Sequence, residues 1–366
     1  MTTVTSTHTL GEPQVAGPLA VFPVHGPEPR LHYRTLAEAI ELGALARERD
    51  EGASVRSLVV ENPTDLPLLV LEGEEVLGAQ QNRTFDESAL IAAGESAVLA
   101  VSCVEAGRWD GRRHAERMRP SPQAADPALR RVKRLSAVAT GLADQQEVWH
   151  EVEERLQRHS VRSQSAAMSD VYDRRRGELS ELSGAVVHRE GQIGALALVS
   201  GQAAALDLVS RPDAFASLLP RLCQGYALSA LGAPATEPDP GAAAAFLSAA
   251  LEPKRVARPG TGMGRSVGVA AAGLVGAGVE HDGELIALCA YPRVSFRPAP
   301  KAGSPRGRYP GALERPVGAL RAAVRPPVPA PPARMGAARG RDRVGRHIRR
   351  ARGDALVRPG GRVLGR

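Results

Sequence analysis

A chain of 366 residues with 43% hydrophobic but only 3% aromatic side chains is long enough for one large domain or two ordinary ones, with a core built mainly from Leu, Val and Ala. Its formal charge of +7 is unevenly held: residues 301–366 carry sixteen arginines and one lysine against Glu314, Asp342 and Asp354, a net of +14, which leaves −7 on residues 1–300. A basic total would ordinarily suggest nucleic acid, but the acidic body removes that inference for the folded part, and no run approaches the roughly 20 apolar residues that span a bilayer.

Residues 1–17 have no structural period and are expected to be disordered, and they do not read as a signal peptide. PLAVFPV (18–24) is a short apolar strand. Thr35 opens a helix, with Glu38 three residues on to complete a capping box and Gly43 just past its end. VRSLVVEN (55–62) and LPLLVLEG (66–73) read as strands joined at the polar turn Asn62-Pro63-Thr64-Asp65, the second apolar on both faces and so central in its sheet. The proline-bearing stretch 111–125 reads as a surface loop.

A helical insert is predicted near 126–183. Asp126-Pro127 pairs a cap with proline at the first helical position, and Asp144 repeats the capping logic before Val148, Val152 and Leu156. Ser169 is read as the cap of a third helix through about 182. IGALALVSG (193–201) and AAALDLVS (203–210) suggest a hairpin turning near Gly201-Gln202. Phe215, Leu218, Leu219, Leu222 and Tyr226 share one buried helix face after Pro212, and another helix covers 240–251. Asp282-Gly283, between alternating apolar runs, signals a hairpin over 273–291 because both turn positions tolerate positive φ. The expected architecture is therefore α+β: mixed or antiparallel sheets with a central helical insert, as one domain over 18–296. Beyond it, 297–366 is an Arg/Pro/Gly-rich tail expected to be disordered, read either as a solvated basic arm or as the product of a shifted reading frame.

Chemistry concentrates between Leu71 and Trp109. Glu72, Glu74 and Glu75 could ligate Mg²⁺ or serve as general acid and base if Glu72 and Glu74 share one side of an extended strand. Alternatively, Gly73 makes a bend and the acids are solvated turn residues. Gln80, Gln81, Asn82 and Arg83 could read a base edge and a phosphate, or satisfy loop backbone and pair with the acids internally. Glu105, Arg108 and Trp109 offer a carboxylate, a phosphate partner and a stacking plane, or else an internal ion pair beneath a Trp plug. Cys103 ends an apolar run and is assigned to core packing. The three cysteines are odd in number, far apart and outside any C-x-x-C pair, which fits a reducing cytoplasm and argues against a zinc site. His114 and His150 lack partners at metal spacing and His281 sits in a hairpin turn, so each is read as structural or solvated. No phosphate-loop or dinucleotide fingerprint is present.

E-G-E (72–74), G-A-Q-Q-N-R (78–83) and S-C-V-E-A-G-R-W (102–109) together resemble the signature of the ARG and rhodanese-phosphatase-superfamily-associated protein domain family (ARPP). The similarity continues through D-Q-Q-E-V-W (144–149), I-G-A-L (193–196) and E-H-D-G-E-L (280–285). That family is named for genetic company with ADP-ribosylglycohydrolases and rhodanese-phosphatase-like proteins. The resemblance implies work near NAD-derived or ADP-ribose-type nucleotides, and it carries no catalytic residues over. The expectation is a protein that binds, or binds and hydrolyses, such a nucleotide through Glu72, Glu74 and Glu105 with Gln81, Asn82, Arg83, Arg108 and Trp109. The rival expectation is a non-enzymatic module that scaffolds NAD- or ADP-ribose-processing enzymes, with the same cluster as structural glue.

Overall fold

A computed structural model describes residues 7–50, 54–109, 117–252, 255–271 and 273–294. The Arg-rich segment 297–366 and His114 lie outside the described residues. Strands β1 (Thr9–Leu10) and β2 (Gln14–Ala16) both pair with β3 (Leu19–His25), so the segment expected to be disordered contributes two strands. Strand β4 (Arg34–Thr35) leads into helix α1 (Leu36–Glu41), which has the predicted capping box between Thr35 and Glu38. Then follow β5 (Leu45–Arg47), β6 (Ser57–Glu61), β7 (Leu68–Val70), β8 (Glu74–Gly78) and β9 (Arg83–Phe85). Strands β10 (Ala89–Ile91), β11 (Ser96–Cys103) and β12 (Arg117–Ala124) complete this half. Strand β12 occupies the stretch read as a surface loop.

The helical insert comprises α2 (Pro127–Thr140), α3 (Gln145–Arg158), α4 (Met168–Arg174) and α5 (Arg176–Gly184). Asp126 and Asp144 cap the first two as expected. Ser169 caps nothing: α4 begins one residue earlier, after Ala167, without a side-chain cap, and the predicted third helix is broken at Arg175. The hairpin β13 (Gln192–Val199) and β14 (Gln202–Val209) precedes α6 (Pro212–Ala230) and α7 (Pro240–Leu251). Strands β15 (Arg255–Pro259), β16 (Arg265–Ala271), β17 (Leu274–His281) and β18 (Glu284–Pro292) close the series. The last two turn at Asp282 and Gly283, both at positive φ.

The architecture is α+β. A nine-stranded antiparallel sheet runs β1-β3-β13-β14-β18-β17-β16-β15, with β2 also on β3. A second sheet places β7 centrally between β10 and β4, as its two-sided apolar sequence predicts. The remaining strands form a closed barrel, β11-β6-β5-β12-β8-β9. One face of the large sheet packs on α6 and the other on α7, while Leu58, Val60, Val76, Phe85, Leu99 and Val101 belong to the barrel's apolar core. Burying such side chains contributes about 1.5–3 kcal/mol each. Helix α2 contacts both systems, touching β14, β17 and β18 while its Lys133 reaches β9. Among the described residues no helix is long and apolar enough to cross a membrane.

Candidate functional site

The three acids of the Glu72–Glu75 run do not converge. Gly73 lies at φ +86°, so the chain turns between Glu72 and Glu74 and the two side chains leave in different directions. The bend matches one of the sequence readings, but the acids it separates are buried and not solvated. Glu72 accepts from Arg134 and, at 3.1 Å, from the Tyr291 hydroxyl. Glu74 accepts from the Leu71 amide at 2.8 Å, and burial pushes its carboxyl up to about 7. Glu75 is raised further, to about 8, chiefly by burial, with the Gln123 amide and the Lys133 ammonium pulling the other way.

The turn at Gly73 is imposed by close approach as well as by φ. A Cβ there would lie 2.2 Å from Arg130 Nε. The Arg130 side chain is wholly buried and donates to both carboxylate oxygens of Asp207, at 2.9 and 2.5 Å, and to the Glu72 carbonyl at 2.9 Å. Tyr226 donates to Asp207 at 2.5 Å, and the Arg130 guanidinium stands 5.2 Å from the Tyr291 ring centroid. Lys133 donates to Thr84 Oγ1 and the Phe85 carbonyl, and its ammonium is 3.0 Å from Asp86.

The amide run lies at one end of the barrel. Arg83 and Glu48 form an ion pair of two wholly buried side chains, 3.5 Å apart, and the guanidinium stacks 5.7 Å from the Trp109 ring centroid. Gln81 donates to the Ala106 carbonyl at 3.1 Å. Asn82 donates to Ser169 Oγ, while its own oxygen accepts from the Gly78 amide and from Arg108. Arg108 grips Glu105 with two nitrogens, at 2.9 and 2.7 Å, and also donates to the Ala79 and Gly78 carbonyls. Ala79 sits at φ +47°, a strained value for a residue with a Cβ, and this grip holds it there. The Arg108 contact keeps Glu105 below the usual carboxylate range although burial opposes it. Glu105 also accepts from the Asn82 amide at 3.1 Å. Trp109 and the Arg108 side chain, each 38% exposed, are the members of the predicted set that reach solvent most.

A sequence model of the ARG and rhodanese-phosphatase-superfamily-associated protein domain matches residues 7–291. The chain belongs to that family. No curated protein and no solved structure matches it. The matched range begins before β1, so the amino-terminal strands are part of the ARPP domain.

The motifs that mark this ARPP chain acquire physical roles. In the D-Q-Q-E-V-W run, Asp144 caps α3 and Gln145 exchanges two 2.8 Å hydrogen bonds with the backbone of Cys103, acting as a neighbouring strand would. Cys103 is buried, with its thiol pushed up to about 12 mainly by burial, which agrees with its assignment to packing. Among the described residues no group of three or more His, Cys, Asp or Glu side chains is placed to hold a metal ion. Sequence reasoning missed Glu48, Arg130, Lys133, Arg134, Asp207, Tyr226 and Tyr291. One signal was available. Four of the five residues Arg130–Arg134 are cationic, more than one solvent-facing helix stripe accommodates, so some had to enter the interior with partners.

Proposed function

We propose that this ARPP-family chain is a non-enzymatic interaction module that works beside NAD- or ADP-ribose-processing enzymes, among them ADP-ribosylglycohydrolases and rhodanese-phosphatase-like proteins. One observation carries the reading: Glu72, Arg83 and Glu105 of the 71–109 cluster are engaged inside the fold by partners of opposite charge. Glu72 is held by Arg134, Arg83 by Glu48, and Glu105 by Arg108. A general acid or base must reach its substrate within hydrogen-bond distance, and Glu72 and Arg83 have no exposure through which to do so. A cytoplasmic location belongs to the same reading, since the three cysteines are free thiols.

A second reading keeps the nucleotide. Trp109 combines an exposed ring with a guanidinium stacked on it, and such a plane suits a base or ribose of an NAD-derived ligand. Calorimetry of the full chain with NAD and ADP-ribose, with and without Mg²⁺, separates the two when run beside size-exclusion light scattering of mixtures with an ADP-ribosylglycohydrolase or a rhodanese-phosphatase-like protein. The module reading expects a stoichiometric complex with one of these enzymes and no turnover of either nucleotide. Hydrolysis, or nucleotide binding lost in Trp109→Ala with no complex formed, contradicts it.

A further inference from the structure

Two motifs that the 71–109 cluster leaves aside meet at one cavity. I-G-A-L (193–196) supplies Ile193, and E-H-D-G-E-L (280–285) supplies Gly283, Glu284 and Leu285. The cavity forms where the connection from β3 to β4 arches over the end of the large sheet. At its start Gly26 lies close on the sheet: an added Cβ would stand 2.3 Å from Ile193 Cδ1 and 2.8 Å from His8 Cδ2. At its far end the Arg30 and Leu31 amides each donate to the Glu284 carboxylate at 3.1 Å, and Arg30 Nη2 donates to the Asp282 carbonyl at 3.2 Å. Pro27-Glu28-Pro29 spans these two pins, with two fixed φ angles to stiffen it. Between the span and the strand ends lies a space of about 270 Å³.

The lining is divided in character. Pro27, Ile193, Leu208 and Leu285 make apolar walls, while Glu28, Arg30 and Glu284 are charged, with the His8 imidazole beside them. Arg30 Nε stands 3.7 Å from Glu284, so these two offset each other. Glu28 is exposed and has no ion pair among the described residues. With histidine counted as neutral, two carboxylates face one guanidinium, which favours a cation over an anion. Size sets the other limit. A cavity of about 150 Å³ takes a benzene ring, so this one admits a bicyclic ring or a branched chain. It falls short of the roughly 300–1,000 Å³ that encloses drug-sized ligands, which leaves out a dinucleotide. We propose that this cavity binds a small organic ammonium, its apolar body against Ile193, Leu208 and Leu285 and its charge at Glu28.

The test is calorimetry of the full chain with tryptamine, indole and indole-3-propionate, which share a ring and differ in charge, at constant ionic strength. Tryptamine should bind saturably and about two- to fivefold more tightly than indole, the range that an exposed ion pair supplies, and indole-3-propionate should bind most weakly. Glu28→Gln changes an exposed side chain only, and should remove the preference for tryptamine while leaving indole unaffected. Leu285→Trp fills the cavity from its wall and should weaken all three; if that variant does not fold, Glu28→Gln decides alone. No saturable binding of tryptamine overturns the proposal. So does tryptamine binding no tighter than indole-3-propionate, a preference that survives Glu28→Gln, or binding that a folded Leu285→Trp leaves unchanged.

Discussion

Glu75 gives the sharpest statement at the scale of one residue. Its folded carboxyl, raised to about 8 by burial, holds a proton more tightly than an unfolded carboxyl near 4.3 does. Its contribution to stability is therefore complete below the unfolded value and is lost as pH rises through 8. Glu74, raised to about 7, acts in the same direction. The melting temperature should fall from about pH 5 to about pH 8 and level off above it, and Glu75→Gln should fall less, so that at pH 9 the variant melts several degrees above wild type, about 2–4 °C per kcal/mol for a domain of this size. Parallel pH curves for the two proteins would show that Glu75 does not carry the dependence.

The same residues show what can be read one at a time. That Cys103 packs follows from its position at the end of SAVLAV, and that Gly73 bends the chain was one of two open readings. The pairings were out of reach because each partner is remote in sequence: Arg134 is 62 residues from Glu72, and Tyr291 is 219 residues away. A carboxylate looks identical in sequence whether it awaits a substrate or an arginine from the other side of the fold.

Among elements, those defined by local rules were legible. Thr35 with Glu38, Asp126 with Pro127, Asp144, and Asp282-Gly283 each act through bonds or φ values within a few residues, and each appears as expected. Strand β12 was not legible, because Pro120 and Pro122 mimic a loop while the pairing that makes it a strand comes from β5 and β8. The amino-terminal strands are of two and three residues, too short for any period to show. The turn between β7 and β8 carries a prediction at this scale. Gly73→Ala demands positive φ from a residue with a Cβ and drives that carbon into Arg130, so urea unfolding should show a loss of about 2–3 kcal/mol or more. Gly177→Ala, inside α5 where an added Cβ meets nothing within 4 Å, should instead gain about 0.5–1 kcal/mol. Equal effects at the two glycines would mean that the Arg130 contact is not what requires Gly73.

Over the domain as a whole, two helices join the barrel to the large sheet: α6 packs on β12, β13 and β14 through apolar side chains, and α2 makes the connection with charge. Arg130 reaches Asp207 on β14, Arg134 reaches Glu72 at the barrel's edge, Lys133 reaches β9, and Tyr291 of β18 touches the same carboxylate. A buried network of this kind is costly to assemble and more costly to leave half-made. Polar residues that look catalytic along the chain are, on this account, one means, beside the apolar packing of α6, by which two sheet systems keep one arrangement.

A double-mutant cycle on Glu72 and Arg134 in the full chain, read by urea unfolding with ADP-ribose calorimetry on each folded variant, tests that claim most directly. Glu72→Gln and Arg134→Met should each cost about 3–5 kcal/mol, the pair together should cost clearly less than the sum, and the nucleotide heats should not change. Wild-type stability in Glu72→Gln together with abolished ADP-ribose binding would contradict the account and return Glu72 to a ligand site.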